Sequence, residues 1–191
     1  MTPGTDLHYD YFSRGVDDTL RFGRTLGRRL RPADVVALHG ELGAGKTQLV
    51  RGIADGLGLD PRQVSSPTFV MMQEYEPVAG AVRASPPAPP DDGKDRSFAL
   101  FHLDAYRIGG PDDLESLGFD DELRATGVSV VEWGGRIAAA LGPDVLHLRL
   151  YHTGDGTRTL DMTGSGPRSA AVAADTAAAL SLSPRPPEPD V

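Results

Sequence analysis

Apolar residues in this chain gather in short runs, and the spacing within each run assigns it to a strand or a helix face. Val35-Val36-Ala37-Leu38 is a buried strand, and Leu49, Val50, Ile53 and Leu57 line one face of a helix over Gln48–Leu57. Leu7–Tyr11 reads as a first strand. A helix follows over Asp17–Leu30, with acids Asp17 and Asp18 at its start and Arg24, Arg28 and Arg29 at its end, as a helix dipole favours. Within it, Leu20, Gly23, Gly27 and Leu30 recur at helical spacing, and the glycines permit close packing. Further strands are expected in the second half of Val64–Tyr75, at Phe98–Leu103 and at Gly127–Val131; Pro111 begins a short helix. Val145–Leu150 and Arg158–Met162 alternate apolar and polar residues around Gly154-Asp155-Gly156, which predicts an antiparallel hairpin at the sheet's edge.

Between these runs lie two stretches of different composition. Residues from about 77 to 97 are rich in proline, alanine and charge, and read as a disordered insertion joining two strands. Beyond Gly164 an alanine-rich stretch with one marginal helix leads to Pro184-Arg185-Pro186-Pro187-Glu188-Pro189. The expected organisation is one domain over 1–166 and a flexible tail over 167–191.

The strand at Val35 runs into Gly40-Glu41-Leu42-Gly43-Ala44-Gly45-Lys46-Thr47, which fits G-x-x-x-x-G-K-T and opens the Gln48 helix. Strand, loop and helix in this order form a phosphate-binding P-loop. Its glycines let successive N–H groups turn inward around phosphate oxygens, and the helix dipole adds to the field. Lys46 supplies charge for the β- and γ-phosphates, and the Thr47 hydroxyl is placed for a magnesium ion. The fold class is thus α/β, a P-loop NTPase with a mainly parallel sheet flanked by helices and a C-terminal antiparallel hairpin. The nucleotide-binding set comprises Glu41, Leu42, Gly43, Ala44, Gly45, Lys46, Thr47 and Gln48.

Two of the later strands each deliver a carboxylate at the C-terminal end, Asp104 and Glu132, where open α/β sheets bind ligands. One would hold magnesium and the other would position the attacking water. Thr68, with Ser66 close by, lies on a loop suited to sensing the γ-phosphate, although an ordinary Ser-Pro turn reads the same way. Arg107 either stabilises transition-state charge or pairs with Asp104 or Glu115. Trp133 is a wall residue or a contact for nucleotide or partner. His102, alternating with apolar strand residues, reads as a buried, hydrogen-bonded histidine.

Composition narrows the class. The 191 residues contain no cysteine, so disulfides and thiol chemistry are excluded. A net charge of −8 argues against extended nucleic-acid binding by this chain alone, so any service to RNA runs through a partner. No signal segment or membrane-length apolar run is apparent, which makes a cytoplasmic location the expectation. The arginines at 21, 24, 28, 29 and 31 form a solvated helix face or meet an acidic partner or RNA.

Four motifs stand in order: the P-loop, Ser66-Pro67-Thr68-Phe69, His102-Leu103-Asp104-Ala105-Tyr106-Arg107 and Glu132-Trp133. Together they resemble the TsaE family, small bacterial P-loop ATPases of tRNA threonylcarbamoyladenosine biosynthesis, over roughly Ser13 to Met162. The resemblance implies ATP and magnesium as cofactors and the TsaB–TsaD pair as partner, with TsaD performing the threonylcarbamoyl transfer to the adenosine beside the anticodon and ATP hydrolysis supporting its turnover. It implies that Lys46 and Thr47 bind phosphate and magnesium, that Thr68 belongs to a switch-like loop, that Asp104 activates water and that Glu132 is the magnesium-side acid. One departure is Gly134-Gly135-Arg136 after Trp133, where the family commonly has Pro or Gly and then Glu; a local salt bridge or partner contact is affected.

Two other classes fit the P-loop. A small-molecule kinase would move phosphate to a metabolite, but no arginine-rich lid is evident. A binding module would use ATP only to order its switch loop, and would show no turnover with its partner present. A guanine-binding N/T-K-x-D motif is missing after the P-loop, which favours ATP over GTP.

Overall fold

The computed structural model describes residues 7–77, 98–119 and 121–186, and the expected insertion lies almost wholly outside them. The chain opens with β1 (His8–Ser13) and α1 (Val16–Gly27), then β2 (Val35–His39) and α2 (Lys46–Leu57). A 3-10 turn at Pro67–Phe69 leads into β3 (Met72–Tyr75), followed by β4 (Ala99–Asp104), α3 (Pro111–Ser116), α4 (Asp121–Arg124) and β5 (Gly127–Glu132). Next come α5 (Ala138–Leu141), the long strands β6 (Val145–Gly154) and β7 (Thr157–Gly164), α6 (Pro167–Ala179) and the two-residue β8 (Pro184–Arg185).

The strands form one sheet in the order β3-β4-β5-β2-β6-β7-β1-β8. The four central strands β4, β5, β2 and β6 are parallel, and the flanking pairs are antiparallel. This bears out the α/β expectation of a mostly parallel core with antiparallel C-terminal strands. The central strands β4 and β5 are buried at every residue, as expected where helices cover both faces. On one face α1, α2 and α6 close over a core that includes Phe22, Leu26, Leu49, Ile53, Leu148 and Val172. On the other, the short helices seal Val35, Phe101, Val131, Leu114 and Leu141.

The glycines at helical spacing have a visible purpose. A Cβ on Gly23 of α1 would lie 2.5 Å from the Leu49 carbonyl oxygen, and one on Gly52 of α2 would lie 2.5 Å from that of Leu20. Gly27 and Gly56 meet the opposite backbone as closely. The two helices therefore touch backbone to backbone at four glycines, pressing α2 against the layer beneath it.

Two expectations are corrected. The hairpin β6–β7 is not at the sheet's edge: β1 pairs with the far side of β7, because Tyr9 and Tyr11 of β1 are buried in the core and bring that strand alongside. The stretch taken for a flexible tail is structured over Pro167–Arg185. Helix α6 buries Val172, Ala173 and Ala177, and its first N–H groups are capped by a carboxylate from outside the helix: Arg168 N and Ser169 N donate to Asp144 at 2.9 and 2.8 Å. Alanine buries so little area per residue that the hydrophobic pattern understates this helix. Strand β8 pairs with β1, and Arg185 reaches both Asp10 and the buried Asp161, which also accepts from His8 and Arg149. Among the described residues no helix is long and apolar enough to cross a membrane.

Candidate functional site

Strand β2 ends at His39, and the loop turns sharply into α2 through Gly40, Gly43 and Gly45, all at positive φ. Gly45, at φ 102°, is the N-cap of α2, and no side chain caps that helix. Its first-turn N–H groups are left for an external acceptor, and their dipoles favour an anion there. Ala44 is buried beneath the loop, Gln48 and Thr47 are half-buried in the first turn, Glu41 is exposed, and Leu42 at the tip is 90% exposed.

Lys46 is folded back over the loop and is 5% exposed. Its Nζ donates to the carbonyls of Gly40 (2.9 Å) and Glu41 (3.1 Å), stands 3.8 Å from Glu132 Oε2 and lies 4.9 Å from the centre of the Trp133 ring. Glu132 ends β5, one strand away from β2, and is itself buried; its other oxygen, Oε1, accepts from His102 Nε2 at 3.0 Å. Because an ionised carboxylate only accepts, the shared proton places the hydrogen on Nε2. His102 Nδ1 is buried with no partner among the described residues. The expected buried, hydrogen-bonded histidine is thus present, and its partner is the acid of the next strand.

Asp104 ends β4 directly opposite Glu132 in the parallel register. Side chains paired in this way leave the same face of a sheet, with adjacent strands about 4.8 Å apart, so the two carboxylates stand side by side. Asp104 Oδ1 also accepts from Tyr106 N at 2.9 Å, and caps a 3-10 turn over Ala105–Arg107. On its other flank the Asp104 N–H donates to the Met71 carbonyl at 2.8 Å. That contact ties the acid to the loop carrying Thr68, whose hydroxyl lies 2.8 Å from Ser66 Oγ. Met71 sits at φ 63°, so the loop meets β4 through a residue in the left-handed region.

Trp133 is also left-handed at φ 60°, and its N–H donates to Leu38 O at 3.0 Å. This turn lays the indole between Lys46 and Tyr106, whose ring centre is 5.7 Å away. Arg107 does not join the cluster. It is exposed and makes no ion pair with Asp104 or Glu115 among the described residues.

Behind the loop, His39 Nε2 and His147 Nδ1 share a hydrogen at 3.2 Å. Burial, then Arg149 and then His147 hold His39 down to about 4, and burial followed by Arg149 lowers His147 also. Both rings are therefore neutral near pH 7. Gly135 lies beside this pair: a Cβ there would be 3.6 Å from His39 Cε1. Arg158, with its guanidinium against Gly45, was not signalled by the sequence, where it is one basic residue in an alternating strand.

The donor set suits a phosphate chain with a hard cation on it. Among the described residues no group of three or more His, Cys, Asp or Glu could hold a metal by itself. Magnesium asks for little more than one or two protein oxygens when phosphates and water supply the rest, and Thr47 and Glu132 would provide them.

The family model for "Threonylcarbamoyl adenosine biosynthesis protein TsaE" matches residues 13–160. The chain is 40% identical over 151 residues to the tRNA threonylcarbamoyladenosine biosynthesis protein TsaE of Streptomyces coelicolor, covering 76% of this chain and 90% of that one. It is 34% identical over 148 residues to the protein of the same name from Treponema pallidum, covering 78% and 95%. The crystal structure of Bacillus subtilis YdiB superposes with a TM-score of 0.66 at 25% identity, over 90% of this chain and 95% of that one. With the phosphate loop, the paired acids and the Glu-Trp turn all placed as above, this chain belongs to the TsaE family of tRNA threonylcarbamoyladenosine biosynthesis.

Proposed function

We propose that the protein is a magnesium-dependent ATPase that binds the TsaB–TsaD pair and supports turnover of threonylcarbamoyl transfer to the adenosine next to the tRNA anticodon. The observation that carries this reading is the meeting of Lys46, Glu132 and Asp104 at one end of an uncapped phosphate loop. Glycine-loop N–H groups and Lys46 bind the β- and γ-phosphates and stabilise charge that develops on them. Asp104 would hold the attacking water and accept its hydrogen bond; Thr47 and Glu132 would hold a magnesium ion, which would supply charge neutralisation. Thr68, on the loop tied to Asp104, reports whether a γ-phosphate is present.

Exposed apolar residues around this end support a partner that covers it. Leu42, Val70 and Tyr106 are large and exposed on the loops that carry the phosphate and acid residues. A chain of net charge −8 suits an indirect relation to tRNA, through the complex, and a cytoplasmic setting follows from that role. The test is phosphate release from ATP with and without the TsaB–TsaD pair, with Lys46→Ala and Glu132→Ala beside the wild type. The expected result is stimulation by the pair, loss of ATP binding in Lys46→Ala and loss of turnover in Glu132→Ala. Wild-type rates in both variants, or phosphate appearing on an added metabolite, would overturn the assignment.

A further inference from the structure

Arg158 opens the inner face of β7, directly opposite Ser13 of β1, and is only 8% exposed. Arginines so buried are ordinarily neutralised by a carboxylate. This one is not. Among the described residues its side chain makes a single hydrogen bond, Nη1 donating to Thr19 Oγ1 at 3.3 Å, and its Nε is buried with no partner. The Thr19 hydroxyl is in turn fixed, 2.9 Å from Ser13 Oγ, which donates to Gly15 O at 2.8 Å. The guanidinium is thus held by one neutral hydroxyl that orients it and does not cancel its charge.

Its other neighbour is the phosphate loop. A Cβ on Gly45 would lie 3.0 Å from Arg158 Nη1 and 3.4 Å from Cζ. Gly45 caps the positive end of α2, and Lys46 follows it. Desolvation, the helix dipole and a second cation all oppose a guanidinium there, and a bound anion, attracting both cations and the dipole's positive end, would outweigh the last two.

The sheet order indicates which part of the anion. Asp104 and Glu132 stand on β4 and β5, to one side of β2, whereas Arg158 stands on β7, to the other. A phosphate chain whose terminal phosphoryl group lies at the acids runs with its nucleoside end toward Arg158. Resting on the nucleotide-binding reading above, we propose that Arg158 binds the α-phosphate of the bound nucleotide, a contact common to ATP and ADP, with Thr19 setting the guanidinium's orientation. The residue retains nucleotide in either state and does not distinguish them.

The test measures ADP and ATP affinity by calorimetry, and the thermal midpoint with and without ADP, for wild type, Arg158→Met and Arg158→Lys. In Arg158→Met both affinities fall by the same factor, at least about ten-fold, the ADP-induced rise in midpoint shrinks accordingly, and the nucleotide-free midpoint is no lower than wild type because an unpaired buried charge is gone. Arg158→Lys recovers part of the affinity. A structural role predicts the reverse: a lower nucleotide-free midpoint with ADP affinity unchanged, and that result overturns the proposal. Should Arg158→Met not fold, Thr19→Val carries the test, with ADP affinity expected to fall about three-fold and unchanged affinity refuting it. Failure of the wild type itself to bind ADP would overturn the nucleotide reading together with this assignment, whereas binding that survives in Arg158→Met removes Arg158 alone.

Discussion

His102 Nε2 lies 3.0 Å from Glu132 Oε1, so the acid that Lys46 approaches from one side is held from the other by an imidazole with no exposure to solvent. A carboxylate fixed by two partners cannot swing freely, which the proposed phosphate site requires. Replacing His102 by Leu leaves the backbone strand intact but frees Glu132. The expected outcome is partner-stimulated kcat reduced by about 10–100-fold, typical of groups that orient ligating side chains, with ATP affinity within about three-fold. Stopped turnover and binding assays on one preparation decide it; an unchanged kcat would show that Glu132 needs no such support.

The glycine contact between α1 and α2 sets a second expectation. Alanine in a helix normally gains about 1 kcal/mol over glycine. At Gly23 the new Cβ would meet the Leu49 carbonyl at 2.5 Å and the Gly52 Cα at 2.9 Å, both backbone. No rotamer relieves that clash, so overpacking wins and Gly23→Ala should lose about 1–3 kcal/mol in denaturant unfolding. Gly15→Ala, at the N-cap of α1 where the Cβ has nothing within 4 Å, is a clash-free comparison and should lose only the cap preference for glycine, under about 1 kcal/mol.

Gly135 leads to a pH prediction. His39 is held at about 4, below its ordinary 6.5, so the unfolded chain binds a proton that the folded one refuses. Stability from this source is complete above about pH 6.5 and is lost as pH falls toward 4. Gly135 lies outside the left-handed region and has room for a side chain beside His39. Gly135→Glu should raise the His39 pKa by about 1 unit or more, by placing an opposite charge against the ring. Proton NMR titration of the imidazole resonances reads this directly, and the slope of stability against pH between 4 and 6.5 should shrink with it. An unmoved His39 resonance would mean that the carboxylate turns to solvent.

Asp144 offers a test of the C-terminal helix. Burial pushes its carboxyl up, but hydrogen bonds from Ser169 and Arg168 outweigh this and hold it below its ordinary value. Asp144→Ala should cost about 1 kcal/mol, as losing an N-cap does, and the loss should shrink as pH falls and the wild-type carboxylate is itself protonated. A midpoint unchanged at pH 7 would remove Asp144 as the cap.

How much of this was legible in the sequence follows from how local each feature is. The P-loop could be read because strand, glycines, Lys46 and helix are consecutive, and the α1 glycines because their spacing matches the helix period. That Asp104 and Glu132 share one end of the sheet was legible because each closes an apolar strand. The position of β1 was not legible: its partner Met162 lies at the far end of the chain, and strand pairing at that distance leaves no local pattern. The grip of His102 on Glu132 and the seat of Arg158 against Gly45 are likewise facts of register and packing between strands and helices remote in sequence.

That placement of β1 has a consequence for how the protein is made. β1 is synthesised before every other described strand, yet it is bordered by β7 and β8, which follow all the rest. Until β7 and β8 have emerged, β1 has no ladder to join, and Tyr9 and Tyr11 lack the Leu160 and Met162 side of their core. Contacts this distant in sequence slow folding and prolong the life of an open strand edge. Synthesis should therefore pass through a stage in which the glycine loop and its central parallel strands are complete while β1 waits, vulnerable to proteases and to pairing with a second nascent chain.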